Sequence, residues 1–175
     1  MVNDVEIFQD RVELEKTSMS NRSTKVFTLN GISDATMHLV GISKSKKLTN
    51  EEENYIKEFW NEVAKNIPEW QLLLGQKITP VELRKEFVHS NTNSLNALGI
   101  VGRTLLQENK DNWKEKLKGL KNINWSRSNP EWEGRLLING RMLKNVIGVE
   151  LAANTILQMC GITLSEERLK HEKKS

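Results

Sequence analysis

Residues 142–161, MLKNVIGVELAANTILQMCG, carry the strongest helical pattern of the chain and decide its fold class. Apolar side chains recur there at steps of four and three, which places them on one face of an α-helix, and Gly161 follows as a helix stop. The stripe consists of Met142, Val146, Val149, Ala153, Ile156 and Cys160. The segment therefore predicts a core helix over 141–160.

The same helical spacing continues outward along the chain. Three segments have the capping-box pattern, a hydroxyl followed three residues later by a carboxylate: Thr49 and Glu52, Thr79 and Glu82, Thr163 and Glu166. Sustained alternation typical of strands is missing, and the pair at 139–140 (Asn-Gly) adjoins helical patterns instead of alternating apolar residues. We predict an all-α fold, a compact bundle of about seven helices with a Trp/Arg-rich connecting loop. The predicted helices are 5–16, 22–41, 50–66, 80–88, 92–107, 110–120 and 141–160, followed by a short tail helix from 164.

Length and composition limit the classes of protein to which the chain can belong. The chain has 175 residues, 37% of them hydrophobic and 28% charged, which suits a single helical domain over 1–169 with a solvated surface. Residues 43–48 have the composition of an exposed linker, and we expect 170–175 to be a disordered tail. The chain has no apolar run long enough for a membrane span, and its first residues lack a signal-peptide pattern, so we expect a cytoplasmic protein without membrane contact.

Catalytic and metal-binding patterns are weak. The single cysteine, Cys160, falls on the apolar stripe and is interpreted as a core thiol, while the three histidines lack partners at zinc-ligand spacing. His89 lies at a helix junction, where it serves either as a general base or as a partner for backbone groups. Gly99 and Gly102 lack the lysine of a phosphate loop and favour close helix packing. We therefore expect no enzyme activity and no cofactor.

The segment 125–135, WSRSNPEWEGR, is the most unusual in composition. Two tryptophans bracket two turn signals, and arginines recur at 127, 135 and 141. We call this segment the Trp–Arg loop. It either holds the fold together or presents arginine side chains to an anionic partner. The tryptophans favour core packing, with exposed stacking faces as the alternative.

Charge is unevenly distributed. The net charge is +3, yet residues 113–145 contain eight basic and three acidic residues, a local charge of +5. Such asymmetry marks either an anion-binding face or an ordinary lysine-rich helix surface. Residues 15–25 form a second basic and hydroxyl-rich segment. With Arg22 and Lys25 in its first turn, the helix predicted from 22 either holds a phosphate or is merely capped.

Several of these segments together resemble the DndB family of bacterial DNA sulfur modification (phosphorothioation) proteins, in its C-terminal half. The matching stretches are 14–29, 59–70, 96–103, 125–135, 140–141 and 161–167, so the resemblance runs from about residue 8 to 168. The family also has an N-terminal domain marked by an Asp-Gly-Gln-His-Arg motif. This sequence lacks that motif, and we expect it to be a fragment or a short relative.

The resemblance implies a role in the phosphorothioation system, where some family members bind promoter DNA as transcriptional regulators. The first hypothesis is a DNA-binding regulatory domain, and the alternative is a module that docks other DNA-modification proteins or supports the missing domain. A nucleotide-dependent enzyme is the third. Under the first hypothesis the DNA contacts are made by Arg127, Arg135, Arg141 and Lys144, with Arg22 and Lys25 as a second contact.

Overall fold

The computed structural model describes residues 2–16, 18–42 and 47–173. Its described residues form eight α-helices: α1 (Leu29–Val40), α2 (Asn50–Asn66), α3 (Pro68–Leu74), α4 (Pro80–Glu86), α5 (Thr92–Glu108), α6 (Trp113–Leu117), α7 (Val146–Met159) and α8 (Glu166–Glu172). Short 3-10 turns occur at Val2–Asp4, Glu6–Phe8, Lys118–Asn122 and Pro130–Trp132.

Two small strand pairs accompany the helices. Strand β1 (Val12–Glu13) pairs in parallel with β2 (Phe27–Thr28), and β3 (Leu137–Ile138) pairs antiparallel with β4 (Arg141–Met142). The fold is mostly helical, so the expectation of a purely helical chain is corrected by these pairs. No helix within the described ranges is both long and apolar enough to cross a membrane.

Helix α5 is the centre of the fold, since it packs against α1 and against α7. Glycines allow the close approach to α1. A Cβ on Gly99 would lie 2.2 Å from the carbonyl oxygen of Ala35, and one on Gly102 would lie 2.4 Å from Leu39 and 2.5 Å from Phe59. The prediction that Gly99 and Gly102 serve helix packing is therefore confirmed.

Capping chemistry explains where several helices begin. The Thr49 hydroxyl accepts from the Glu52 amide and the Glu52 carboxylate accepts from the Thr49 amide, and the equivalent pair opens α4. The third predicted box is wrong. Ser165, instead of Thr163, caps α8 by accepting from the Arg168 amide at 3.4 Å.

The helix predicted over 5–16 is wrong. Asp10 has φ 57°, a left-handed conformation that interrupts a helix, and the chain then enters strand β1. The helix predicted over 22–41 begins later, at Leu29, because Phe27 and Thr28 pair with β1 and Thr28 caps the helix.

The helix predicted over 141–160 begins at Val146. Asn139 and Gly140 have φ values of 51° and 72° and form the turn of the β3–β4 hairpin. Asn145 then caps α7 by accepting from the Gly148 amide. Helix α3 was missed, although Pro68 occupies its favoured first position.

The remaining predicted segments differ only in detail. Helix 110–120 is shorter than predicted and continues as a 3-10 turn, whereas 50–66, 80–88 and 92–107 are confirmed within two residues. Most of the predicted linker, residues 43–46, lies outside the described residues. Helix α8 extends into the predicted tail as far as Glu172, and residues 174–175 lie outside the described residues. The single domain over 1–169 stays a prediction.

Candidate anion-binding cleft

The two tryptophans of the Trp–Arg loop lie in the core. The Trp125 and Trp132 rings stack with centroids 5.4 Å apart and an angle of 13° between their planes. Both are buried, and Trp132 Nε1 donates to the Asn124 carbonyl at 2.9 Å. Each ring thus packs against the other and against the core, which confirms the structural interpretation of the tryptophans.

Arg135 is bound within the protein. Its two terminal nitrogens donate to both carboxylate oxygens of Glu172, at 2.9 and 2.7 Å, and one also donates to the Leu151 carbonyl at 2.8 Å. The hydrogen bonds from Arg135 lower the pKa of the Glu172 carboxyl. Asn154 donates to the same carboxylate. Arg135 therefore joins the Trp–Arg loop to α7 and α8.

Arg127 differs from Arg135 in its surroundings. Its backbone amide donates to the Glu86 carbonyl at 2.9 Å, which fixes the base of the side chain. Its guanidinium Nε is buried and has no hydrogen-bond partner among the described residues. Burial lowers the pKa of Arg127, and the negative charge of Glu86 opposes that shift. The half-buried guanidinium lines a cleft.

This cleft has a volume of about 710 Å³, and the N-cap residues of three helices line it. They are Thr28 of α1, Asn91 of α5 and Asn145 of α7. We call it the N-cap cleft and define it by these three caps together with three cationic side chains. The cations are Arg84, Arg127 and Lys144.

Direct contacts bring the three helix starts together. A Cβ on Gly31, in the first turn of α1, would lie 2.8 Å from the Thr92 hydroxyl at the start of α5. The Asn93 side-chain amide donates to the Leu143 carbonyl, just before α7. The start of α1 and the segment that leads into α7 therefore both contact the start of α5.

Helix starts favour anions for two reasons. The first four backbone N–H groups of a helix lack partners within it, and the peptide dipoles add a partial positive charge there. In the N-cap cleft each cap side chain accepts from one amide: Thr28 from Gly31, Asn91 from Asn93 and Asn145 from Gly148. Because one cap side chain satisfies only one of these donors, each helix start has further N–H groups without a partner in its own helix.

Arg84 adds a full positive charge that no carboxylate in the described part of the chain pairs with. Its guanidinium donates to four backbone carbonyls, those of Ser20, Asn21, Ser23 and Lys25. Burial lowers the pKa of Arg84, although a guanidinium stays protonated at neutral pH. Carbonyl oxygens bind the cation without neutralising it, so its charge contributes to the field in the cleft.

The acidic residue of the cleft is already paired. Glu150 lines the N-cap cleft, and its carboxylate lies 3.3 Å from a guanidinium nitrogen of Arg168. Three cations therefore face one carboxylate that is bound to a fourth cation. The geometry and the charge both suit an anionic group such as a phosphate.

A family model described as DndB, DNA-sulfur modification-associated, matches residues 1–163 of this chain. The chain belongs to the DndB family. Membership associates the protein with DNA sulfur modification and confirms the family resemblance seen in the sequence. Among curated proteins and solved structures, none matches the chain.

Two of the DNA-contact residues predicted for this DndB-family protein line the N-cap cleft, namely Arg127 and Lys144. Arg141 is exposed on β4, outside the lining of the cleft. Arg22 is exposed, and Lys25 donates to the Asp10 carbonyl at 2.8 Å. Neither Arg22 nor Lys25 lies in the first turn of α1, which begins at Leu29, but the start of that helix does line the cleft.

Sequence reasoning missed three residues of the DndB-family cleft: Arg84, Asn91 and Asn145. The two asparagines carried a usable signal, since Asn is among the favoured N-caps and each precedes a helical stripe. Arg84 carried none, because a basic residue in the last turn of a helix is ordinary. Its contacts span about 60 positions of sequence and arise only from the fold.

The other candidate chemical groups of the DndB-family protein are buried. His89 Nδ1 accepts from Trp70 Nε1 at 3.0 Å, and its Nε2 lies 3.4 Å from a Glu69 carboxylate oxygen. These partners are side chains, in place of the backbone groups expected. Burial raises the pKa of the Cys160 thiol to about 12, as suits a core thiol. Within residues 2–16, 18–42 and 47–173, no group of three potential acidic, His or Cys ligands is close enough to hold a metal.

Proposed function

We propose that this DndB-family protein binds DNA through phosphate contacts in the N-cap cleft, and that it does so in transcriptional control of the modification genes. The observation that carries the proposal is the convergence of three helix N-termini on a cleft with three cations. Lys144 and Arg127 supply the charged contacts, and Arg84 supplies a fixed positive field. The role is one of binding without catalysis.

The groups of the cleft are suited to phosphate and less suited to reading bases. Phosphate oxygens accept hydrogen bonds from backbone N–H groups and from arginine forks. The lining contains no Trp, Tyr or Phe, the residues on which bases commonly stack. We therefore expect the cleft to provide affinity, with sequence preference arising elsewhere on the surface.

The test is binding of the full chain to a fluorescently labelled promoter duplex of the modification genes, measured by anisotropy at 50 and 200 mM salt. Affinity should fall with salt, because bound cations release counterions from the phosphates. Lys144→Ala should weaken binding about threefold to tenfold at 50 mM salt and reduce the slope of log affinity against log salt by about 0.9.

Lys121→Ala is the matched control, since Lys121 is an exposed lysine of the same basic stretch that does not line the N-cap cleft. It should leave affinity nearly unchanged. Absence of binding at 50 mM salt would end the proposal for this chain. Equal losses of DNA affinity from Lys144→Ala and Lys121→Ala would indicate that DNA binds a diffuse basic surface instead of the cleft.

A second candidate function is docking of other DNA-modification proteins. The exposed apolar side chains of Ile138 and Ile147 favour it, being 51% and 64% exposed beside the β3–β4 hairpin and the start of α7. Under this alternative, Ile147→Ser prevents co-purification with the other proteins of the modification system and leaves DNA binding unchanged. Unchanged co-purification would remove the alternative.

A further inference from the structure

We infer that the N-cap cleft recognises a nucleoside monophosphate unit, either at the 5′ end of a DNA strand or as a free nucleotide, in preference to an internal phosphodiester. The inference rests on the proposed function, because the same cleft receives the phosphate. It names the chemical form of the ligand that the cleft fits best.

The charge of the cleft favours a phosphate monoester over an internal diester. A phosphate monoester carries between one and two negative charges at neutral pH and offers three terminal oxygens, whereas an internal diester carries one charge and offers two. The N-cap cleft surrounds its ligand with three helix starts and the side chains of Arg127 and Lys144. A group with more charge and more acceptors uses more of these donors.

Polar groups that the fold leaves unsatisfied also line the cleft. Arg127 Nε is a buried donor and Asn96 Oδ1 a buried acceptor, and neither has a hydrogen-bond partner in the described part of the chain. Both residues line the N-cap cleft. Ser90, also in the lining, is only 9% exposed, and its hydroxyl makes no hydrogen bond to another described residue.

These unsatisfied groups are of opposite kinds. A phosphate oxygen satisfies a donor such as Arg127, whereas Asn96 Oδ1 needs a ligand N–H or O–H. Leaving a buried polar group unpaired is unfavourable, so a ligand that pairs both kinds gains over one that pairs only donors. A nucleotide has both, since its phosphate accepts and its sugar hydroxyl or base donates.

The shape of the cleft suits a ligand larger than phosphate. Apolar side chains of Met19, Met142 and Val146 line the cleft with exposed surface. They offer a surface for a sugar or a base next to the polar end. The volume of about 710 Å³ lies in the range of small-ligand sites, which is roughly 300–1,000 Å³. Phosphate alone would leave most of that space unused.

The experiment compares four probes with the full chain by isothermal titration calorimetry at 50 mM salt. They are a ten-nucleotide oligothymidine with a 5′-phosphate, the same strand with a 5′-hydroxyl, thymidine 5′-monophosphate, and inorganic phosphate. We expect the phosphorylated strand to bind at least tenfold more tightly than the hydroxyl strand. We also expect the nucleotide to bind at least tenfold more tightly than inorganic phosphate.

Variants assign the effect to the cleft. Arg127→Gln should remove the preference for the 5′-phosphate, and Lys144→Gln, at an exposed position, serves the same purpose should Arg127→Gln fail to fold. Arg141→Gln is the matched control, because Arg141 is exposed and outside the lining. Asn96→Leu should weaken the nucleotide and leave inorganic phosphate unchanged.

The outcomes separate this inference from the proposed function. Equal binding of both strands, together with binding of the promoter duplex, overturns the inference and leaves the function standing. Binding of the nucleotide and of the phosphorylated strand, without binding of the duplex, supports the inference and removes the function. Equal affinity for nucleotide and inorganic phosphate overturns the inference, as does absence of binding by every probe.

Discussion

The Trp–Arg loop and the N-cap cleft use their polar groups in opposite ways. In the loop, the Trp132 N–H and the Arg135 guanidinium are bound to partners within the protein. In the cleft, the Arg127 Nε has no partner among the described residues, and the Arg84 charge meets only carbonyl oxygens. Most of the Trp–Arg loop, the most conspicuous segment in the sequence, is a packing device, and of its two arginines Arg127 lines the cleft whereas Arg135 does not. The rest of the candidate site is assembled from ordinary residues of separate segments of the chain.

Trp132→Ala should have the largest effect on stability and would test whether the tryptophans of the Trp–Arg loop serve packing. Truncating a fully buried, stacked tryptophan leaves a cavity and should lower the free energy of unfolding by about 3–5 kcal/mol. Urea denaturation monitored by circular dichroism measures it. Trp132→Phe, which keeps an aromatic ring, should cost less. A loss below about 1 kcal/mol accompanied by weaker DNA binding would reassign the loop to a ligand surface.

The Arg135–Glu172 pair should have the next largest effect. Both side chains are about three-quarters buried and form two short hydrogen bonds, so a double-mutant cycle with Arg135→Ala and Glu172→Ala should give a coupling energy of about 1–2 kcal/mol. Arg141→Ala, at an exposed position, should change stability by less than about 0.5 kcal/mol. Zero coupling together with reduced DNA affinity would return Arg135 to the DNA-contact residues.

His89 should give a smaller, pH-dependent effect. Burial lowers the pKa of His89 below its ordinary value of 6.5, while the neighbouring Glu69 opposes the shift. The unfolded chain therefore takes up a proton first, so the stability contributed by neutral His89 is present above pH 6.5 and is lost as the pH falls further. The loss is at most about 1.4 kcal/mol for each pH unit.

Urea denaturation at pH 7.5 and 5.5 measures this loss. His89→Gln should reduce the difference between the two pH values, whereas His38→Gln, at an exposed residue, should preserve it. An unchanged difference in His89→Gln would assign the pH dependence to other groups.

Lys144→Ala should have the smallest effect on stability, less than about 0.5 kcal/mol, because its side chain is exposed. Thermal unfolding measures it on the same samples used for DNA binding. This variant would then separate binding from folding in the N-cap cleft. A large loss of stability would make Lys144 a structural residue instead of a cation that serves ligand binding.

The sequence predicted those parts of the fold that local chemistry determines. The capping boxes at Thr49 and Thr79 predicted the starts of α2 and α4, and the glycines at 99 and 102 predicted close helix packing, although not that α1 is the partner. It failed where tertiary pairing overrides a local pattern. Residues 5–16 and 141–145 have apolar spacing compatible with a helix, yet left-handed residues and strand pairing direct the chain elsewhere.

The site was predicted less completely than the fold. Arg127 and Lys144 stood out because the local charge is high, but the same criterion also selected Arg135, whose partner Glu172 lies 37 residues away. Charge patterns along a sequence do not reveal which basic side chain forms an ion pair with a carboxylate. Nor do they reveal that three helix starts meet, since that depends on how α1 and α7 approach α5.

The hydrogen bonds that Arg84 donates to residues 20–25 have a consequence for ligand binding in the cleft. Ser18 and Asn21 belong to the lining, so a ligand in the cleft and the Arg84 side chain contact the same short stretch of chain. Occupancy of the cleft by a ligand and attachment of that stretch to Arg84 are therefore thermodynamically linked. A ligand should slow amide hydrogen exchange and proteolytic cleavage in 18–26, and a partner that pulls this stretch away from Arg84 should release the ligand.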